Sequence, residues 1–310
     1  MRRLIVGMTG STGAIFGVRF LEALKHADVE SHLIISKWAQ RTIEHETNYS
    51  AEQVRSLASV VHSQGDMGAT ISSGSFLTEG MVVIPCSVRT LGCIASGYGE
   101  HLVHRAADVV LKERRRLVLV VRETPLSEVH LENMLKLARM GVVMLPPMPA
   151  FYNHPQTIED LVGHIVSRVL DQFRIDAPFA KRWDGHMHTA AKIAAVGGIA
   201  QGVGDHLVHR AADVILKERR KLVLVVRETP LSEVHLENML KLSRMGVTML
   251  PPMPAFYNHP QSVDDIVNHI VGRVLDQFGI PAPFEKRWDG HMHTAAKIAA
   301  LGGTTAKSGT

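Results

Sequence analysis

Two kinds of hydrophobic run alternate along the chain. Short unbroken apolar stretches read as strands buried on both faces: "RRLIVGM" (2–8), "ESHLIIS" (30–36), "GMVVIPCS" (80–87), "LVLVVRETP" (117–125) and "VVMLPPMPAFY" (142–152). Between them, apolar residues recur at helical spacing over 14–25, 37–46, 104–115, a segment opening at Ser127, and 157–173. Ser50, three residues before Gln53, has the pattern of a helix cap. Strands alternating with helices predict an α/β fold: a flavodoxin/Rossmann-like parallel sheet with helices on both faces. In such sheets ligands sit beyond the carboxyl ends of the strands. The polar clusters fall at those ends: "MTGSTGA" (8–14), Ser36, "PCSVRT" (85–90), "RETP" (122–125) and "PAFYNHP" (149–155).

The pattern is then written a second time. Residues 97–198 recur at 202–303 with a constant offset of 105, and only 16 of the 102 positions differ. The match continues weakly upstream, where "GCIASG" faces "GGIAQG". Residues 1–96 have no second copy. The chain is therefore expected to hold a complete domain over 1–196, a duplicated C-terminal half over 197–303 and a disordered tail over 304–310. The second half keeps apolar strands but lacks the segment that would complete their sheet. Three arrangements are open to it: folding loosely, packing on another chain, or displacing 97–198. The first copy is expected to complete the sheet, being adjacent in sequence. A chain ending near Thr189 is then expected to keep full activity.

Composition narrows the chemistry. The 310 residues are 45% hydrophobic and 21% charged, with a net charge of +4, and no Lys/Arg-rich tail is present. That excess suits an anionic ligand in a pocket better than nucleic acid. No apolar run suits a leader or a membrane span, so the cytoplasm is the expected location. The two cysteines, Cys86 and Cys93, make neither a disulfide framework nor a zinc spacing. Cys86 reads as a small buried thiol rather than a nucleophile. The histidine pairs His101/His104 and His186/His188 lack acidic or cysteine partners in register, and no metal is expected.

The loop "TGSTGA" lacks both the dinucleotide spacing and a P-loop lysine. Gly10, Gly13 and the hydroxyls of Ser11 and Thr12 can still meet a phosphate at a helix N-terminus. Ser87, Thr90 and Arg89 can do the same after the middle strand. Arg122 at a strand end suits bidentate phosphate binding, and Glu123 beside it can orient the arginine or handle a proton. Lys112, Tyr152 and Arg168 are each as readily surface or packing residues when taken alone.

Taken together, "VGMTGSTGA", "SKWA", "ISSGSF", "PCSVRTL", "RAADVVLKERR", "RETPLS", "HLENML", "PPMPAFYNHPQ" and "RVLDQF" closely resemble the flavin prenyltransferases (UbiX/Pad1-like). The most similar branch is the one whose members accompany hydroxyarylic acid decarboxylases as an associated component. The resemblance implies a homo-oligomeric enzyme that transfers a dimethylallyl group from dimethylallyl monophosphate to reduced FMN without a metal. The prenylated flavin would then serve a UbiD-type decarboxylase. By the same resemblance, Gly10, Ser11, Thr12, Ser36, Ser87, Val88, Arg89, Thr90 and Arg122 would contact FMN. Lys112, Arg122, Glu123, Tyr152 and Arg168 would surround the prenyl phosphate, Glu46 would assist proton movement, and Trp183 would form an aromatic lid. Arg89 stands where many relatives have lysine, and Thr12 where many have serine. Two other readings are a non-catalytic flavin carrier or assembly factor, and an FMN-dependent decarboxylase of the same fold. The latter relies on an asparagine motif where this chain has "PCSVRT".

Overall fold

The computed structural model of the chain describes residues 2–177, 194–204 and 206–284. Trp183, His186, His188 and the expected tail lie outside the described residues. The first part of the chain alternates as expected: β1 (Arg3–Met8), α1 (Ala14–His26), β2 (Glu30–Ile35), α2 (Lys37–Glu46), α3 (Ala51–Arg55), β3 (Val60–His62), β4 (Gly80–Cys86) and α4 (Val88–Ser96). The first repeat continues with α5 (Leu102–Lys112), β5 (Arg116–Val121), α6 (Glu128–Arg139), β6 (Val143–Met144) and α7 (Ile158–Gln172). The second repeat gives α8 (Ala194–Gln201), α9 (Leu207–Lys217), β7 (Val223–Leu224), α10 (Glu233–Arg244), β8 (Thr248–Met249) and α11 (Val263–Gln277).

Six parallel strands form one sheet in the order β3-β2-β1-β4-β5-β6. This is the doubly wound order with a switch point between β1 and β4, where the connections leave in opposite directions. Successive strand residues feed two different cores. Ile5, Ile34, Met81, Val83 and Leu119 face α4, α5 and α6, while Leu4, Val6, Leu33, Val82 and Val118 face α1, α2 and α7. Burial on both faces is why these strands read as continuous apolar runs. β3 gives no such run because its three residues lie on the sheet edge, with Val60 and Val61 exposed.

The first repeat completes the sheet, its Gly80↔Arg116 to Val83↔Leu119 register running along β4. The second repeat follows none of the three courses open to it on sequence grounds. It folds back onto the first, and β7 and β8 form a separate two-stranded sheet. The join is a pseudo-twofold in which each contact occurs twice with roles exchanged. Leu126 N–H donates to Met249 O and Leu231 N–H to Met144 O, both at 2.8 Å. Thr124 Oγ1 donates to Pro251 O and Thr229 Oγ1 to Pro146 O, at 2.9 and 2.8 Å. Arg139 pairs with Glu237 and Arg244 with Glu132, both at 2.7 Å. Leu131, Met134 and Leu137 of α6 merge with Leu236, Met239 and Leu242 of α10 into one apolar core. Such self-complementary contacts are the signature of an isologous interface, here closed within a single chain. The open-edged half thus gains a covered α10 face. Structurally, the repeat starts earlier than its sequence identity, since α8 packs on α10 as α4 packs on α6. A boundary at 196/197 would cut α8.

Candidate active site

Three loops at the carboxyl ends of the central strands are laced together. Thr9 Oγ1 donates to Pro85 O at 2.9 Å and accepts from Ser87 N–H at 2.8 Å. Ser11 Oγ donates to Arg122 O at 2.9 Å, and Arg122 N–H donates to Cys86 O at 3.1 Å. Ser36 and Ser87 cap α2 and α4, accepting from Ala39 N–H and Thr90 N–H respectively. Both hydroxyls therefore sit at helix N-termini that face the same end of the sheet. Thr90 is buried, Ser87 and Val88 are half-buried, and Arg89 is exposed. Cys86 is fully buried and burial pushes its thiol up, in keeping with an unreactive core residue.

The start of α1 differs from the sequence reading in its partner. Gly13, at φ 100°, turns the chain into the helix as few other residues could. The first amides, Gly13 N–H and Ala14 N–H, donate to Glu46 Oε2 at 2.8 and 3.2 Å. A carboxylate from α2 thus holds the positive helix end that the loop spacing reserved for a phosphate. Desolvation raises the Glu46 pKa above the usual carboxylate range, opposed by hydrogen bonds from Thr12, Gly13 and Ala14 and by the Arg122 charge. Gly10 also has a local role, because a Cβ there would collide with Trp38 Cβ. Any side chain at position 10 would first displace Trp38, which is 56% exposed beside the loop and stacks with Arg41. Sequence reasoning missed Trp38 as a wall of this site.

Arg122 is the centre of the cluster. Its side chain is buried, and its Nη2 has no hydrogen-bond partner. Desolvation lowers its pKa, opposed by Tyr257, Glu46 and Glu123. An unpaired buried guanidinium nitrogen is costly and points to an anionic or strongly accepting ligand. Its Nε donates to Pro254 O at 3.1 Å, and its carbon lies 5.8 Å from the Tyr257 ring centre. Glu123 follows it, half-buried, accepting from Thr124 N–H.

The remaining predicted residues are distributed differently from the expectation. Tyr152 lies with Arg227, 5.5 Å from the ring centre, and with His164. Arg168 pairs with Asp171 and acts electrostatically on His164, so it belongs to that second cluster. Lys112 ends α5 at the opposite, amino end of β5, where it is exposed and pairs with Glu113. Within one chain, then, Arg122 is not joined by Tyr152, Arg168 or Lys112. It is joined by the second repeat: Tyr257, His269 and, across His269, Arg273. Phe256 N–H donates to Thr12 Oγ1 at 3.0 Å, the Phe256 ring meets Phe16 edge-on at 5.4 Å, and His259 meets His45 at 4.8 Å. No sequence signal separates these residues from their twins, because "PPMPAFYNHPQ" is identical in both copies. A cleft of about 1120 Å³ between α1 and α7 shares no lining residue with the Arg122 cluster. Among the described residues no group of three or more His, Cys, Asp or Glu side chains could hold a metal, and no helix is long and apolar enough to cross a membrane.

The sequence matches the Flavoprotein family over residues 1–170 and 189–275. The chain belongs to that family. It is 62% identical to the Probable UbiX-like flavin prenyltransferase of Streptomyces sp. (strain D7) over 64% of this chain and 100% of that one. It is 51% identical to the flavin prenyltransferase LpdB of Lactiplantibacillus plantarum, over 60% of this chain and 100% of LpdB. Among solved structures, a dodecameric FMN-dependent UbiX-like decarboxylase from Escherichia coli O157:H7 is similar at 63% identity and TM-score 0.59, over 59% of this chain and 100% of that one. AnUbiX (PadA1) in complex with FMN and dimethylallyl pyrophosphate is similar at 54% identity and the same TM-score, over 60% of this chain and 99% of that one. These flavoprotein relatives match about three fifths of the chain, leaving room for a repeat beyond them.

Proposed function

We infer that the chain is a flavin prenyltransferase, moving a dimethylallyl group from dimethylallyl monophosphate to reduced FMN. The observation that carries this reading is the buried Arg122 guanidinium with an unpaired Nη2, set where the three loops converge at the strand ends. That donor set fits FMN and a phosphate ester: two capped helix N-termini at Ser36 and Ser87, the hydroxyls of Ser11, Thr12 and Thr90, and one buried cation. When bound, reduced FMN supplies N5 and C6 as acceptors for the dimethylallyl group. Arg122 is placed to absorb the charge of the departing phosphate, a role favoured by its dry surroundings. Phe16 and Phe256 keep water from one side of the site. Glu46, whose pKa is raised by desolvation, stands beside Thr12 as the group placed to exchange a proton at the loop.

The same reading makes the product a cofactor for a UbiD-type decarboxylase, acting in the cytoplasm, with the enzyme assembling as a homo-oligomer like its dodecameric relative. Its catalytic domain ends before α8, and the second repeat, from α8 onward, completes the site. The positions assigned by resemblance to Tyr152 and Arg168 are taken by Tyr257 and Arg273. The test is to incubate the pure chain with reduced FMN and dimethylallyl monophosphate and weigh the flavin. A mass gain of one dimethylallyl group supports the reading, and unmodified FMN overturns it.

A further inference from the structure

We propose that the second repeat completes the site within the same chain, supplying Tyr257 and Arg273 to one working site per chain, centred on Arg122. The chemistry of that site rests on the prenyltransferase reading; the seating of the repeat does not.

The two copies of one peptide are placed unequally. Phe256 is 6% exposed against Phe16, whereas its twin Phe151 is 43% exposed. Phe256 N–H reaches Thr12, in the loop that opens α1, and Thr12 in turn hydrogen-bonds Glu46. The second repeat's proline loop is therefore bonded to the rest of the site at three places: Thr12, Arg122 and Thr124. Of these, only the Arg122 and Thr124 bonds have mirror images, at Arg227 and Thr229. Thr12 has no counterpart, because residues 1–96 occur once.

The mirror cluster around Arg227 collects Tyr152, His164 and Arg168. It has no second glycine loop, and Ala195 occupies the position of Thr90. It carries the phosphate-facing residues without a flavin seat. The pseudo-twofold thus builds two clusters of like composition, of which one adjoins the flavin loops. The stoichiometry that follows is one FMN per chain.

Two pairs of variants test this in the full-length chain. The first pair reads seating through stability. Phe256→Ala should lower Tm by roughly 5–10 °C, as for truncation of a buried aromatic, and Phe151→Ala by about 2 °C or less. The second pair reads function. Arg273→Ala should cut prenyl transfer roughly tenfold or more, as for loss of a contact to a charged group, while Phe151→Ala changes it by less than about twofold. Reversed order in either pair, or two FMN bound per chain, overturns the proposal. Absence of transfer in the parent chain would sink the function and leave the seating to be decided by the phenylalanine pair alone.

Discussion

The two repeats are nearly the same sequence in two different surroundings. In the first, Leu102 and Val103 of α5 are buried, with Val103 pressed into the space that Gly7 leaves free on β1. In the second, their twins Leu207 and Val208 are 82% and 62% exposed. Val162 and Val166 of α7 are fully buried in the core that α7 shares with α1, while Val267 and Val271 of α11 are partly exposed. The difference is the absence of a second 1–96 segment. Yet α10 is as well buried as α6, because each covers the other. Apolar patterning specifies which face must be covered; which neighbour covers it depends on what else the chain holds.

The largest effect should come from a charge on the α5/α9 face. Leu102→Asp places an unpaired carboxylate in the core and should cost roughly 4 kcal/mol or more, enough to prevent folding. Leu207→Asp should leave the Tm unchanged and raise solubility. Equal damage from both, measured by thermal unfolding, would mean that α9 is covered in solution.

Truncation comes next. On sequence grounds a chain ending at Thr189 is expected to keep full activity. The structure changes that expectation, because such a chain loses the cover of α6 and the Phe256–Tyr257 side of the site. Transfer should fall at high dilution and return as two shortened chains pair through α6, which sedimentation run alongside the assay would detect. Full activity from a shortened monomer at all concentrations would break the comparison.

Glu46 has no twin in the second repeat, so its substitution reads the first site alone. Its folded pKa is raised, so its stabilising contribution is present at low pH and lost as pH rises through the raised value. Glu46→Gln removes that loss while keeping an acceptor for Gly13 and Ala14. The variant should gain stability relative to the parent with rising pH, yet transfer more slowly; equal transfer would remove Glu46 from proton handling.

The histidines of the two clusters make a finer comparison. Desolvation, with nearby arginines, lowers His164 and His269 from near 6.5 to about 4. Both are neutral in the fold at neutral pH, so the stability they hold is lost as pH falls from about 6.5 to 4. His269→Gln and His164→Gln should flatten that acid limb by like amounts, because the two shifts are alike, and a large inequality would mean the two clusters are not equivalent. Acid titrations of unfolding would show it. The smallest effect belongs to the exposed pairs Arg139–Glu237 and Arg244–Glu132, each worth about 0.5 kcal/mol or less. Reversing both charges of one pair should leave the Tm within error.

Local patterning is enough to specify the sheet, its two covered faces and the polar loops at the strand ends. Burial on both faces leaves continuous apolar strands and period-3.6 helices that are readable residue by residue. The same patterning locates Arg122 and Ser87, each next to a recognisable strand end, while Glu46 is legible only through the family resemblance. Three other features depend on long-range contacts. Glu46 rather than a ligand holds the first amides of α1, a contact between residues 32 and 33 positions apart. Lys112 lies at the wrong end of β5 to reach Arg122, since a helix running back along a strand delivers its last residue to the strand's start. And Tyr257, not Tyr152, stands over Arg122. Two identical peptides carry identical local preferences, so only the geometry of the α6–α10 pseudo-twofold, which crosses the proline loops between halves, selects between them.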